Sequence, residues 1–224
     1  MLLKNLIRII RSYKFSIITI IFFELLYLVK GYKGNRFNFS NNDLMADNLP
    51  CPYYFLFKIK KTLKNTNFYR FLDLGCGSGR VINFFNKNFS SKKFIGIEYF
   101  SSQYEYCKKI FQNKKNIKII QADFTKSDFF QYDADCYFLN NPFVYNTKYF
   151  ASKPNIKSIL LKKNSELIEF IEKIINFSLK KKNILFIFVN YNKKIIEELK
   201  NIRCIESYYI SDTKGYAIYC LNDN

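Results

Sequence analysis

The stretch FLDLGCGSGR, residues 71–80, decides the fold of this protein. It places three glycines within five positions, directly after a short apolar run. Ordered glycine loses more backbone entropy than any other residue, so a cluster of glycines indicates a tight turn or a close approach between the backbone and a ligand. An apolar run that ends in such a turn is typical of a buried strand followed by a helix.

The sequence downstream of this stretch alternates between strand-like and helix-like segments. Five strands are predicted, with helical segments between them: YRFLDL, KFIGIE, IKIIQAD, ADCYFL and NILFIFV. The chain closes with CIESYYI and GYAIYCL, separated by SDTKG, which predicts a hairpin. These repeated units imply an α/β fold: a doubly wound, mostly parallel seven-stranded sheet with a C-terminal antiparallel hairpin. Ligands of such sheets bind at the carboxyl ends of the strands.

The composition of the 224-residue chain excludes several classes of protein and of functional site. Hydrophobic residues make up 49% of it, which excludes a disordered protein. The net charge of +18 allows a nucleic-acid partner, but the basic residues are spread along the whole chain, as general surface charge would be. The absence of histidine excludes a Ser-His-Asp triad and a histidine metal site, and we expect no metal. The six cysteines form no C-x-x-C pair, so we expect reduced thiols in a cytoplasmic protein.

The first 30 residues predict an N-terminal amphipathic or hydrophobic helix. Four basic residues share one face of that helix, namely Lys4, Arg8, Arg11 and Lys14. An apolar run from Phe15 to Val29 follows, which is shorter than the about 20 residues of a membrane span and contains Glu24. Three interpretations stay open: a helix docked on the protein's own core, a basic helix on an anionic membrane surface at the cytoplasmic face, or a span. Residues 31–50 are predicted to form a linker, and residues 51–224 the ligand-binding domain.

The glycines lie where the first strand of the sheet turns into its first helix, at the predicted binding edge. Without Cβ atoms, Gly75, Gly77 and Gly79 let a flat ligand rest against the backbone. Glu98 ends the second strand, where a carboxylate can accept hydrogen bonds from both hydroxyls of a ribose. The G-x-G-x-G spacing differs from the G-x-G-x-x-G of NAD sites. Asp73 would repel a pyrophosphate and attract the positive charges of S-adenosylmethionine.

The segment DLGCGSGR, residues 73–80, resembles motif I, D-x-G-x-G-x-G, of the class I S-adenosylmethionine-dependent methyltransferases. The resemblance covers roughly residues 50–224 and implies that S-adenosylmethionine is the cofactor. Glu98 matches the family's ribose-binding acid, and Asp123 matches the acid that holds the adenine amino group. A simple helix cap is the alternative role for Asp123. The resemblance implies cofactor contacts at Asp73, Gly75, Cys76, Gly77, Gly79, Glu98, Asp123 and Phe124.

The fourth predicted strand leads into FLNNPF, which resembles the [DN]-P-P-[FYW] motif of amino-methyltransferases and the Asn-Pro-Phe ending of small bacterial methyltransferases. Asn140, Pro142 and Phe143 match the first motif, and Asn141 replaces its first proline. The side-chain oxygen of Asn140 and the carbonyl of Asn141 would accept the N–H protons of an amine and aim its lone pair. Phe143 would stack on a base or line an alkylammonium channel. The alternative is a loop whose asparagines cap a turn.

We therefore expect an S-adenosylmethionine-dependent methyltransferase that N-methylates an amine, with protein lysine favoured over nucleic acid and small molecules. A lysine starts protonated, and Tyr53 or Tyr54, just before the first strand, are candidates for taking its proton. The order of hydrophobic helix, linker and glycine motif also resembles that of membrane-associated protein-lysine methyltransferases. The alternative class is a non-catalytic scaffold that binds the cofactor.

Overall fold

A computed structural model describes residues 17–29, 50–125, 129–140, 168–179, 181, 183–191, 193–212 and 214–221. The helices are α1 Ile17–Val29, α2 Tyr53–Leu63, α3 Arg80–Asn88, α4 Ser101–Phe111, α5 with residues 168–178, and α6 Lys193–Glu197. A 3₁₀ helix covers Phe129–Tyr132. The strands are β1 Arg70–Leu74, β2 Lys93–Glu98, β3 Ile117–Gln121, β4 Cys136–Asn140, β5 Leu185–Val189, β6 Ile202–Ser211 and β7 Lys214–Leu221.

The seven strands form one sheet in the order β3-β2-β1-β4-β5-β7-β6. Strands β1 to β5 are parallel to one another, and β7 lies between β5 and β6 and is antiparallel to both. The predicted α/β fold with a C-terminal antiparallel hairpin is confirmed. Every residue of β5, LFIFV, is buried, because a central strand of such a sheet is covered on both faces.

Alternating side chains of the central strands divide the core into two layers. Phe71 of β1 and Phe138 of β4 lie on one face, 5.8 Å apart between ring centres, and pack in the layer formed by α1 to α4. Leu72 and Leu139 lie on the other face, in the layer formed by α5 and α6. Full burial of such a side chain stabilises the fold by about 1.5–3 kcal/mol.

The N-terminal helix α1 packs on the first of these layers. Ile20 and Tyr27 are buried, and the ring of Tyr27 stacks on that of Tyr53 with 4.9 Å between centres. For residues 17–29 the structure thus shows the docked helix, one of the three interpretations left open by the sequence. Across the described ranges, no helix is long and apolar enough to cross a membrane. The four basic residues of the predicted amphipathic face, and the linker up to residue 49, lie outside the described residues.

The ends of the elements can be compared with the prediction at three places. The strand predicted to end at Leu139 runs to Asn140, because Asn140 pairs with Val189 of β5 and continues the ladder by one residue. The predicted strand KFIGIE has the bounds Lys93–Glu98 that the structure shows. The helix predicted from Ser165 is described for residues 168–178.

Candidate functional site

The glycine loop follows β1 at the carboxyl edge of the sheet. Gly75, Gly77 and Gly79 have φ angles of 79°, 54° and 79°, in the left-handed region that side chains disfavour. The backbone N–H groups of Gly75 and Cys76 both donate to the carbonyl oxygen of Ile97, at 2.9 and 3.0 Å. The loop is therefore tied to the end of β2, where Glu98 lies.

Two of the glycines are required for different reasons. A Cβ atom on Gly79 would lie 2.6 Å from the Phe111 ring and 2.9 Å from the Cys107 sulfur, so Gly79 allows α4 to pack against the loop. A Cβ atom on Gly77 would meet no other described atom within 4 Å, so its Cα faces open space that a flat ligand can occupy. Cys76 is buried between the glycines, and a hydrogen bond with Cys107 together with burial raises the pKa of its thiol. We therefore assign Cys76 to packing of the loop; a side-chain role toward the cofactor stays a prediction.

Asp73 is a buried carboxylate at the end of β1, with 1% of the residue exposed. Its Oδ2 atom has no hydrogen-bond partner among the described residues. Burial, followed by repulsion from Glu98, raises the pKa of Asp73 well above its usual value. An anionic group in this position is stabilised by pairing with a cation, because the pairing compensates its desolvation. The carboxylate therefore suits a ligand that carries positive charge.

Glu98 is also buried, and its carboxylate binds the backbone of the loop. Oε2 accepts a hydrogen bond from the N–H of Gly77 at 2.7 Å, and Oε1 accepts one from the N–H of Phe100 at 2.9 Å. Burial raises the pKa of Glu98, and these backbone hydrogen bonds oppose the shift. A carboxylate has about four acceptor positions, so acceptor capacity for ribose hydroxyls is left. The ribose role stays a prediction, and the structure adds a second role, holding Gly77.

Two of the residues predicted to contact the cofactor, Asp123 and Phe124, have other partners in the structure. Asp123 Oδ1 accepts hydrogen bonds from the backbone N–H of Thr125 at 3.0 Å and from its hydroxyl at 2.6 Å. This turn-capping geometry agrees with the alternative role that the sequence left open, and contact with adenine stays a prediction. Phe124 is buried in the second core layer, where its ring lies 5.3 Å from that of Phe170. Phe124 therefore contributes to packing.

Asn140 ends β4 at the same edge of the sheet. Its Oδ1 atom accepts a hydrogen bond from the side-chain amide of Asn190 at 3.0 Å. Asn190 is buried just after β5, and its backbone N–H donates to the carbonyl of Gly215 at 2.8 Å. Asn190 therefore orients the Asn140 amide. The other three residues of the motif, Asn141, Pro142 and Phe143, lie outside the described residues.

Asn190 and Arg80 are buried polar residues at this edge that the sequence analysis did not select. A sequence signal for Asn190 is that it directly follows the apolar run of β5, much as Asn140 follows the apolar residues of β4. A signal for Arg80 was its place directly after the last glycine, at the start of α3. Neither signal indicates a buried side chain without the tertiary structure.

The two tyrosines proposed as proton acceptors lie at the start of α2. The ring of Tyr53 is fully buried, and the guanidinium carbon of Arg80 lies 4.5 Å from its centre. Tyr54 is half-buried and packs edge-on against Tyr208 with 5.9 Å between ring centres. Burial, and then the neighbouring Tyr208, raises the pKa of Tyr54. A phenol with a raised pKa stays protonated at neutral pH, which makes Tyr54 a weak proton acceptor.

Comparison with known proteins gives one family match and a set of similar folds. Residues 71–159 match a family model described as a methyltransferase domain. No curated protein sequence matches the chain closely enough to count as a relative.

Three solved structures show the similarity of fold. The chain resembles the delta-N METTL16 methyltransferase domain with 15% identity and a TM-score of 0.57, over 87% of this chain and 91% of that one. It resembles a putative caffeoyl-CoA O-methyltransferase from Staphylococcus aureus with 14% identity and a TM-score of 0.52, over 98% of both chains. It resembles the S-adenosylhomocysteine-bound methyltransferase PaMTH1 of Podospora anserina with 13% identity and a TM-score of 0.50, over 83% of both chains. At these identities the likeness is one of fold.

Proposed function

We propose that this protein, an S-adenosylmethionine-dependent methyltransferase, transfers the methyl group to an amine nitrogen, with protein lysine as the favoured acceptor. The observation that supports N-methylation is the Asn140 amide, held by Asn190 at the carboxyl edge of the sheet. An amine reacts through its lone pair, so its N–H groups must be bound by acceptors that point the lone pair at the methyl carbon. The oxygen of Asn140 is one such acceptor.

The residues of the glycine loop fit the cofactor. When bound, S-adenosylmethionine supplies an activated methyl group on a sulfonium. The Asp73 oxygen that has no partner among the described residues would attract its positive charge, and the space at Gly77, which no described atom fills, would accommodate its flat parts. Glu98 would accept hydrogen bonds from the ribose hydroxyls while it holds the loop through Gly77. Asp123 is the proposed partner of the adenine amino group.

The preference for protein lysine rests on the order of segments along the chain, in which a hydrophobic helix precedes the glycine motif. The net charge of +18 supports the second acceptor class, nucleic acid. A lysine loses its proton before it can attack, because its usual pKa is about 10.4. A carboxylate or water is better suited than Tyr54 to take this proton, since the phenol of Tyr54 is held protonated.

Transfer of a labelled methyl group tests this function. The purified protein is incubated with methyl-labelled S-adenosylmethionine and host lysate, and the product is then digested with protease or with nuclease. Label that protease releases as methyl-lysine supports the proposal. Label that only nuclease releases identifies the nucleic-acid alternative. Binding of the cofactor without any transfer identifies a scaffold.

A substitution at the amide tests the role of Asn140. Asn140→Ala should lower turnover at least about tenfold, the effect of losing one hydrogen bond in the reacting geometry, and leave cofactor affinity within about twofold. Asn176→Ala, at an exposed position of α5, is the matched control and should leave turnover unchanged. Wild-type turnover of Asn140→Ala would remove this residue from the mechanism.

We also propose peripheral attachment of the protein to an anionic membrane surface through α1. Four apolar residues form a stripe on the outer side of this helix, and their exposed fractions are 79% for Ile18, 59% for Phe22, 46% for Leu25 and 88% for Val29. Four basic residues precede the helix between positions 4 and 14. An apolar stripe beside basic residues is the pattern that binds anionic lipid, to which each basic residue contributes about 1 kcal/mol.

Flotation with liposomes tests the attachment. The intact protein should float with liposomes that contain anionic lipid, and less so at high salt, where the Debye length shrinks to about 3 Å at 1 M. The double variant Phe22→Ser, Leu25→Ser changes only exposed side chains of α1 and should float less. Ile205→Ser, at an exposed apolar residue of β6, is the control. Equal flotation of all three proteins, or none at all, would contradict the proposal.

A further inference from the structure

A buried ion pair joins α1 to the helix that follows the glycine loop. The side chains of Glu24 in α1 and Arg80 in α3 are 4% and 6% exposed. The Arg80 Nη1 atom lies 3.1 and 2.9 Å from the two carboxylate oxygens of Glu24. The same nitrogen donates to the carbonyl of Cys51 at 3.2 Å, and Glu24 Oε1 accepts a hydrogen bond from the N–H of Tyr53 at 2.8 Å. Glu24 therefore holds together α1, the start of α2 and the start of α3.

Arg80 connects this pair to the cofactor loop. Gly79 is the N-cap residue of α3, and Arg80 is the first residue of that helix. The N–H of Gly79 donates to the carbonyl of Cys76 at 2.9 Å, and the carbonyl of Gly79 accepts from the N–H of Asn83 at 2.9 Å. A displacement of Arg80 therefore displaces the last turn of the loop.

Glu24 and Arg80 are both buried, so each charge is stabilised by the other. Burial alone would lower the pKa of Arg80, but the pKa is raised overall because attraction to Glu24, the hydrogen bond with Glu24, and the neighbouring Tyr53 and Cys51 together outweigh the effect of burial. Removing one member of such a pair leaves a buried charge without its counter-ion, which is strongly unfavourable. The guanidinium would then move toward water and carry the first turn of α3 with it.

We propose that Glu24 is a positioning residue for the cofactor: through Arg80 it holds the glycine loop in its binding geometry, so that docking of α1 and binding of S-adenosylmethionine are coupled. This proposal gives Glu24 a role. A helix that only covered the core would not need a charged residue within its apolar run. Coupling between two sites is reciprocal at equilibrium. A ligand that binds the ordered loop must therefore strengthen the docking of α1 by the same factor.

Hydrogen exchange on the wild-type protein tests this reciprocity. Exchange of the amides of residues 17–29 is measured with and without saturating S-adenosylhomocysteine, the demethylated form of the cofactor, which has no methyl group to transfer and so allows no turnover. Calorimetry on the same sample verifies that the ligand binds. Exchange in α1 should slow at least about fivefold, the lower end of typical coupling, and β6 at the edge of the sheet should not change. Unchanged exchange in α1 with ligand bound would overturn the proposal.

Substitutions separate positioning from stability. Glu24→Gln should weaken S-adenosylhomocysteine binding at least about fivefold at a temperature well below unfolding, and it should remove the ligand's effect on exchange in α1. Arg80→Lys keeps a positive charge for Glu24 and should give a smaller loss. Thr19→Ala, at an exposed position of the same helix, should bind with wild-type affinity.

Two results would show that Glu24 is merely structural. The first is a Glu24→Gln protein with a lower unfolding temperature and wild-type ligand affinity. The second is an Arg80→Lys protein that binds S-adenosylhomocysteine with wild-type affinity and whose amide exchange in α1 equals that of the wild type, with and without ligand. This second result can be obtained even if Glu24→Gln does not fold. None of these measurements requires the methyl acceptor. Failure of this proposal is therefore distinguishable from failure of the proposed N-methylation.

Discussion

Asp73→Asn removes one charge from the cofactor edge and keeps the shape of the side chain. Asp73 is 1% exposed, and its Oδ2 atom has no hydrogen-bond partner among the described residues. In the complex this oxygen would pair with the positive charge of S-adenosylmethionine. A hydrogen bond to a charged group contributes about 1.5–3 kcal/mol, and about 1.4 kcal/mol corresponds to a factor of ten. The dissociation constant should therefore rise by about 10- to 150-fold.

The pH dependence of binding gives a second readout of the same charge. Burial, and then repulsion by Glu98, raises the pKa of Asp73 above its ordinary value of 3.8. Since the cationic ligand favours the ionised carboxylate, wild-type affinity should increase as the pH rises through the raised pKa. The unliganded fold should respond in the opposite sense. Between the two pKa values the folded state binds more protons than the unfolded chain, so stability falls as the pH rises. Both trends should be weaker in Asp73→Asn.

Calorimetry with S-adenosylmethionine between about pH 5 and 8, the range in which proteins are usually most stable, together with thermal unfolding of the free protein, measures both effects. Asp133→Asn is the matched control. It removes one carboxylate whose side chain is 51% exposed and which precedes β4, at the opposite edge of the sheet. Its affinity should stay within about twofold of wild type. A dissociation constant for Asp73→Asn within twofold of wild type, with the same pH dependence, would refute the reasoning.

Further predictions concern the loop and the core. Gly79→Ala should lower the free energy of unfolding by at least about 1 kcal/mol in denaturant titrations, because its Cβ would lie 2.6 Å from Phe111. Gly77→Ala is strained by its φ of 54°, but its Cβ meets no described atom within 4 Å, so it should lose less stability than Gly79→Ala and should weaken cofactor binding in calorimetry; unchanged affinity would contradict the assignment. Glu98→Gln should weaken S-adenosylmethionine binding by about 10- to 150-fold, and unchanged affinity would remove Glu98 from the ribose site. Phe124→Ala should destabilise the fold by about 3–5 kcal/mol, and a stable variant with weakened cofactor binding would argue for a contact with the cofactor instead.

Local patterns in the sequence determined the strands and the glycine loop. The strand RFLDL is rich in apolar residues, which is typical of a strand covered on both faces, and the glycines after it adopt the left-handed φ angles that other residues disfavour. These preferences act within a few residues, so a reading of the sequence predicts the sheet, the hairpin and the position of Asp73 and Glu98 at one edge. It also predicts which cofactor chemistry suits that edge, because a carboxylate next to the loop favours a cation over a pyrophosphate.

The tertiary structure decided which polar groups meet. Glu24 reads in the sequence as an unfavourable charge in an apolar run, and its partner Arg80 lies 56 residues further along the chain. Asn190 binds Asn140 across 50 residues. Such pairs follow from the packing of helices on the sheet, which brings distant side chains into one water-poor layer. In such a layer a charge without a counter-ion is unfavourable, whereas a paired charge is tolerated. The partner is set by tertiary packing, so it cannot be read from the neighbouring residues in the sequence.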